Sequence, residues 1–256
     1  MRKIVETLSE SVKNENIKIS IFGSKKDFLR YDNIIYEENL SRAKVFNYRY
    51  ETIRIQHEIK QILEKLELHK QGIKIIEPEE EQKRLGKLDS EKQELEKRTV
   101  GEQWSFNFGS DAVNDLKEAK AISKYHAINE INRRINQNIL NALHITTKEI
   151  LLNIAGDRDK KEKLELFSNY IDYKLGIGSL PKISQKDIDK LETIAMVEHE
   201  RWVASHKLLG YRPGENKDFV KMIHKDIKPW EKLSESTKLY DYIVVKTTID
   251  MLIKEL

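Results

Sequence analysis

The chain has no cysteine in 256 residues. Disulfides, thiolate metal sites and a cysteine nucleophile are thereby excluded, and nothing points to an oxidising compartment. Proline (4) and glycine (10) are scarce, so obligatory turns are few. With abundant Lys, Glu, Leu and Ile, that scarcity favours long helices over many short strands. No stretch approaches the roughly 20 consecutive apolar residues that a membrane-crossing helix needs. The opening residues, MRKIVETLSESVKNENIK, lack the apolar run of a secretion signal. A cytoplasmic location without a membrane partner is the expectation. Charge of one sign is also missing: 46 basic and 43 acidic residues leave a net +3, with the two signs interleaved. A nucleic-acid binder usually carries a one-signed stripe, so nucleic acid is not an expected partner. What is present suffices for a core, since 39% of residues are hydrophobic beside 35% charged.

Residues 17–22 (IKISIF), followed by Gly23-Ser24, read as a strand, with Ile34-Ile35-Tyr36 as a weaker second one. From Leu40 the spacing turns helical. Ala43, Phe46, Tyr50, Ile53, Ile59, Leu63 and Leu66 recur at three- and four-residue steps or their multiples, which predicts a helix to about Leu68. Residues 77–99 carry almost no apolar side chains and read as an exposed loop or a protruding charged helix. Helical spacing resumes near Asp111 and runs through Ile122, Ile131 and Ile135 to Leu140. Gly156 is expected to end the next helix in a left-handed conformation. Gly176 to Pro181 is the clearest linker. Ser184, with Asp187 three residues later, reads as a helix start. That helix runs on Ile188, Leu191, Ala195, Trp202 and Leu209 until Gly210. Pro229 bars a helix through Trp230, and Ser234 opens a final one. The fold class expected is mainly α, with a short β element near the N-terminus.

The segment richest in chemistry is Met196-Val-Glu-His-Glu-Arg-Trp202. On a helix His199, Trp202 and His206 share one face, with Glu198, Arg201 and Ser205 on a neighbouring strip. Burying such groups is costly unless each has a partner. Either they satisfy one another, or they line a pocket that a ligand completes. Trp202 and Glu198 suit a structural role, whereas Arg201, His206, Lys207 and Arg212 gather cations around one turn. A guanidinium fork suits phosphate and an aromatic face suits a base. Catalytic motifs fail one by one. A zinc-protease helix needs a second His four residues after His199, and position 203 is Val. Phe22-Gly-Ser24 has only Asp27 near it, where a nucleotidyltransferase needs paired acids for magnesium. Gly176-x-Gly178 lacks the third glycine of a dinucleotide loop, and Gly156-Asp-Arg-Asp159 lacks the remaining ligands of a calcium loop. No catalytic residue, metal ligand or cofactor is expected, and the chain does not read as an enzyme.

Met196 to Trp202 is followed by Leu209-Gly-Tyr-Arg-Pro-Gly214, Ile223-His224, Lys228-Pro-Trp230, Leu233-Ser-Glu235 and Tyr240-Asp241. In order and spacing this series resembles the ryanodine-receptor repeat of calcium-release channels, which also occurs in bacterial and phage proteins. The resemblance covers roughly residues 185–256. It implies a helical ligand- or partner-binding module with no chemistry of its own, from a family often met in bacterial signalling and antiviral gene settings. An internal similarity accompanies it. Thr193–Trp202 aligns without gaps on Ser41–Tyr50, with Ala, Val and Arg recurring in register and an aromatic after each Arg. In longer relatives a degenerate repeat precedes the good one. Two repeats are thus expected: 40–150, degenerate and interrupted by 77–99, and 184–256, joined by 151–183 and preceded by 1–39. Relatives also carry a dinucleotide-binding domain and often membrane helices ahead of the repeats. Neither is seen here, which argues against channel gating.

The function this implies is a non-enzymatic protein that senses or sequesters a small nucleotide-derived signal, of cyclic-nucleotide or ADP-ribose type. Its pocket would be lined by Arg201, Trp202, Lys207, Tyr211, Arg212, His224 and Trp230. The alternative is a protein–protein interaction or homo-oligomerisation module with no small ligand.

Overall fold

The computed structural model describes residues 25–73, 77–120, 122–153 and 159–254, with side chains from Asn39 onward. The expected strand at 17–22 and the expected helix end at Gly156 lie outside them. The chain divides into two compact units, Met1–Glu38 and Asn39–Leu256. Of the first, the described part is the opening of helix α1 (Lys25–Lys70). Ile34-Ile35-Tyr36 therefore belongs to a helix and not to a strand. The reason is local: the three residues sit inside a 46-residue run with no Gly or Pro, too short a β-branched patch to outweigh its helix-forming neighbours.

The second unit is mainly helical among the described residues. After α1 come α2 (Pro78–Lys97), α3 (Val100–Phe108), α4 (Ser110–Lys120), α5 (Lys124–Leu143), α6 (Ile145–Leu152), α7 (Lys160–Lys174), α8 (Gln185–Leu208) and α9 (Glu235–Lys254). Serine caps set several starts. Ser184 Oγ accepts from the Asp187 N–H at 3.2 Å and opens α8 as the sequence predicts. Ser123 Oγ accepts from the His126 N–H at 3.3 Å, and this start splits the single helix expected from Asp111 to Leu140 into α4 and α5. Asn153, at φ 51°, ends α6 in the left-handed conformation. Gly176 (φ +72°) and Gly210 (φ +91°) do the same after α7 and α8, where a β-carbon would strain the backbone.

The core lies where α7, α8 and α9 meet. Leu164, Phe167 and Ile171 of α7, Leu191, Ile194 and Ala195 of α8, and Ile243, Val245 and Ile249 of α9 form it. α9 is buried almost all round from Asp241 to Ile249, so its sequence shows no single apolar stripe; it is the central helix. Phe46 and Ile53 of α1 close the core on another side.

A second, smaller cluster joins the later part of α1 to α2 through Ile55, Ile62, Leu88 and Leu95. Ion pairs flank it, Lys65–Glu81 at 2.6 Å and Arg84–Glu58 at 2.9 Å. The charged segment 77–99 is thus a helix seated on a narrow leucine stripe. Beyond α8 the chain forms a two-residue parallel pair, β1 (Arg212–Pro213) and β2 (Ile223–His224), then a 3-10 turn at Trp230–Lys232 directly after Pro229.

Candidate functional site

α8 lays down the floor of the site, and the E-H-E-R-W segment supplies it. Glu198 is fully enclosed. Its carboxylate lies 2.8 Å from Lys148 Nζ of α6 and accepts Arg201 Nε on both oxygens at 3.0 and 3.1 Å. Burial opposes its ionisation, but Lys148 and Arg201 outweigh burial and hold the carboxyl at about 2. Arg201 spends its remaining donors on α5, giving Nη2 to Asn141 Oδ1 at 2.6 Å and Nη1 to Gln137 Oε1 at 3.4 Å. The guanidinium is a buried clamp between helices.

One wall comes from α5. Glu130 accepts Arg133 Nε and Nη2, at 2.8 and 2.7 Å, and Arg134 Nε at 3.1 Å. Burial resists ionisation here also, yet the two arginines bring the carboxyl down to about 2. Arg133 Nη1 then reaches His206 Nε2 at 3.0 Å, while His206 Nδ1 sits 2.9 Å from the Trp202 carbonyl. A carbonyl only accepts, so the His206 proton is on Nδ1, and Nε2 accepts from Arg133. Burial, with Arg133 and Lys217 behind it, pushes His206 down to about 4. His224 of β2 is neutral for the same reasons. Burial, then Lys217, His206 and Arg133, lower it to about 3. Its Nδ1 accepts the Asp226 N–H at 3.2 Å, which leaves the proton on Nε2.

The other wall belongs to α9 and α1. His199 Nε2 donates to the Lys228 carbonyl at 2.8 Å, and Nδ1 faces Asp241 Oδ2 at 3.4 Å. Burial works against a charged His199, but Asp241 and the Lys228 carbonyl raise it above its ordinary value. Asp241 rises to about 6, from burial first, with His199 opposing and Glu198 adding to the rise. The pair holds its protons jointly. From α1, Asn47 and Tyr50 face the same space. Burial pushes the Tyr50 hydroxyl up, so it stays un-ionised.

These walls enclose a cavity of about 450 Å³ lined by Arg133, Arg134, Gln137 and Asn141 on α5, Glu198, His199, Arg201 and Trp202 on α8, Lys217 and His224 on the following loop and strand, Tyr240 and Asp241 on α9, and Asn47 and Tyr50 on α1. Trp202 packs against His206 with the ring planes tilted by 35° and the centroids 3.9 Å apart, and meets the edge of His224 at 4.8 Å. Asn47 Nδ2 is buried without a hydrogen-bond partner among the described residues. A buried donor left unpaired is costly, and one on a cavity wall is a place for a ligand atom to bond.

Of the seven residues the sequence singles out, Arg201, Trp202 and His224 share this cavity. Tyr211 is buried beside it, its hydroxyl 3.4 Å from Glu130 Oε2, and faces a neighbouring hollow with Phe219 and Met222. Trp230 is in the core near Tyr242 and His199. Lys207 and Arg212 are exposed and do not line the cavity. His206 lies beneath the floor, fully buried.

Residues the sequence reading passes over are Arg133, Arg134, Gln137 and Asn141, together with Lys217, Asn47 and Tyr50. A signal existed for most. Arg133, Gln137 and Asn141 are four residues apart, a polar stripe beside the isoleucine stripe of an amphipathic helix. Asn47 and Tyr50 stand in register with His199 and Trp202 in the internal alignment. Lys217 carries no such signal.

Among the described residues no helix is long and apolar enough to cross a membrane, and no group of three or more His, Asp or Glu is placed to hold a metal ion. The chain matches no protein-family model, no curated protein and no solved structure.

Proposed function

We propose that the second unit is a non-enzymatic binding protein that holds a small nucleotide-derived molecule in the α5–α8–α9 cavity, sensing or sequestering it in the cytoplasm. One observation carries the reading: the cations Arg134 and Lys217 and the rings of Trp202, His224 and Tyr50 line a single cavity of about 450 Å³. Small-molecule pockets fall at roughly 300–1,000 Å³. Cationic groups suit phosphate, and aromatic faces suit a base. Arg201 serves the ligand indirectly, by fixing α5 against α8, while Trp202 and His224 touch it.

The reading retains the ryanodine-receptor-type repeat for 184–256 and a degenerate partner for 40–150. Supporting it, Ala43 and Ala195 are equivalent in the internal alignment and both fully buried. The equivalent pairs Asn47/His199 and Tyr50/Trp202 line one cavity.

Isothermal titration calorimetry against cyclic and linear nucleotides and ADP-ribose tests the proposal. At least one is expected to bind with micromolar or tighter affinity and to be recovered unchanged. Silence across the panel from folded protein would contradict the reading. Silence accompanied by concentration-dependent self-association would favour an interaction module, and turnover of the ligand would make the chain an enzyme.

A further inference from the structure

We infer that the α5 end of the cavity is a phosphate seat formed by Arg134, Lys217 and the Nε2–H of His224. The inference deepens the nucleotide reading and rests on it for the remainder of the ligand.

The cations of the cavity are not equivalent. Arg201 and Arg133 have every donor nitrogen engaged, Arg201 with Glu198, Gln137 and Asn141, and Arg133 with Glu130 and His206. They build the walls. Arg134 gives only Nε to Glu130, at 3.1 Å, and both terminal nitrogens of its fork are unbonded among the described residues. Lys217, on the loop between β1 and β2, has no hydrogen-bond partner among the described residues, although it lines the same space.

Local charge points the same way. Three cations, Arg133, Arg134 and Lys217, act on one another here, and Glu130 and Asp226 are the carboxylates that act most on Lys217. His206 and His224 are neutral, as their hydrogen bonds show, and add nothing to either side. Among these five groups the cations outnumber the carboxylates by one, and Glu51, which also lines the cavity, is held by Arg54. Partial desolvation on the cavity wall, then Arg133, depresses the Lys217 ammonium, with Glu130 opposing, while the side chain keeps an exposed side.

Among the described residues lining the cavity, the unpaired donors are the Arg134 fork, the Lys217 ammonium, the His224 Nε2–H and the buried Asn47 Nδ2, with the Asp226 carboxylate as an acceptor 3.8 Å from His224 Nδ1. A ligand complementary to them supplies oxygen acceptors and a negative charge. A neutral carbonyl compound would satisfy the donors and leave the charge. A phosphoryl group does both, and a planar fork beside a point charge is a geometry suited to its oxygens. The seat adjoins the rings of Trp202 and His224, so the phosphate and the aromatic part of one small ligand can be held side by side.

The test is titration calorimetry at low ionic strength with three probes, pyrophosphate, AMP and adenosine, on the full chain and five variants. Pyrophosphate and AMP are expected to bind the parent protein. Arg134→Ala and Lys217→Ala should each weaken both by about tenfold or more, as loss of a charged hydrogen bond does, while changing adenosine less than about twofold. Lys207→Ala and Arg212→Ala, which remove exposed cations outside the cavity, should leave all three unchanged. Arg134 and Lys217 are both solvent-facing, and unfolding midpoints within a few degrees of the parent check that the variants fold; Lys217→Gln gives an independent arm. The seat is overturned if pyrophosphate fails to bind, if Arg134→Ala and Lys217→Ala bind it as the parent does, or if the two surface variants lose as much. Failures are separable: adenosine binding without pyrophosphate sinks the seat and spares the nucleotide reading. Pyrophosphate binding that gains nothing from an attached nucleoside does the reverse.

Discussion

Lys148 Nζ lies 2.8 Å from Glu198 Oε2, and both side chains are almost wholly shut off from solvent, at 4% and 1% exposure. The pair ties α6 to α8 directly beneath the cavity, and Arg201 extends it to α5. Taking one partner from a buried ion pair leaves an uncompensated charge, which costs about 3–5 kcal/mol. Glu198→Gln is therefore expected to destabilise the protein by that amount, read as a lower urea midpoint. The pH behaviour follows from the sign. The folded carboxyl is depressed to about 2 from an ordinary 4.5, so its stabilisation is complete above pH 4.5 and is lost as pH falls toward 2. Glu198→Gln should lose that part of the acid sensitivity.

The histidines divide into two groups with opposite pH signatures. His199 is raised above 6.5 and Asp241 rises to about 6 from an ordinary 3.8. Their contribution is complete below about pH 4 and fades as pH rises through 6 and beyond 6.5. His206 and His224 are lowered to about 4 and about 3, so theirs is complete above 6.5 and fades as pH falls toward those values. Imidazole NMR should find His206 and His224 neutral at pH 5.5, each on the tautomer its hydrogen bonds dictate, with His199 still charged. A charged His206 at that pH would contradict the Arg133 contact. Asp241→Asn should flatten the decline in unfolding temperature between pH 4 and 7.

Arg201→Lys keeps the charge but discards the fork. The bonds to Asn141 and Gln137 go, while attraction to Glu198 remains. A loss of about 1–3 kcal/mol in stability is expected from the buried acceptors left unpaired. Ligand affinity should fall with it, because α5 carries Arg134. Chemical denaturation and calorimetry on the one variant check both.

Ile62→Ala removes a buried side chain from the small α1–α2 cluster, which shares no residue with the main core. A cost of about 2–4 kcal/mol is expected. Hydrogen exchange should place it locally, with faster exchange across Ile55–Leu66 and Leu85–Leu95 and little change in α7 and α9.

The helical character was legible because it depends on local signals: scarce Gly and Pro, apolar residues at helical spacing, and Ser184 as a cap. Where those signals conflict, the reading slips. Ile34-Ile35-Tyr36 has strand-like residues, but a strand needs a ladder partner that lies elsewhere in the chain, whereas a helix needs only its neighbours. The Ser123 break was missed because Ile122 continues the apolar spacing straight through it. For the candidate site, Arg201 and Trp202 stand out because they lie in one dense segment, and His224 enters through the series that carries the family resemblance. Arg212 and Lys207 look equivalent to them in sequence, yet β1 leaves Arg212 exposed, and Lys207 occupies the outer face of α8. Along α5 the isoleucine spacing dominates the pattern, and nothing local marks the polar stripe beside it as a cavity wall. That α5 and α8 meet at all is a long-range fact, set by Arg201 reaching sixty residues back to Asn141.

The most direct test uses the three tryptophans as reporters. Trp202 lines the cavity, Trp230 is buried in the core, and Trp104 lies on α3. In a ¹H–¹⁵N spectrum of the indole N–H groups, assigned with Trp202→Phe, titration with the nucleotide that binds by calorimetry should shift the Trp202 resonance progressively to saturation. Trp230 and Trp104 should move far less. A saturating nucleotide that leaves Trp202 in place, or that moves only Trp104, would show that the cavity is not where the ligand sits.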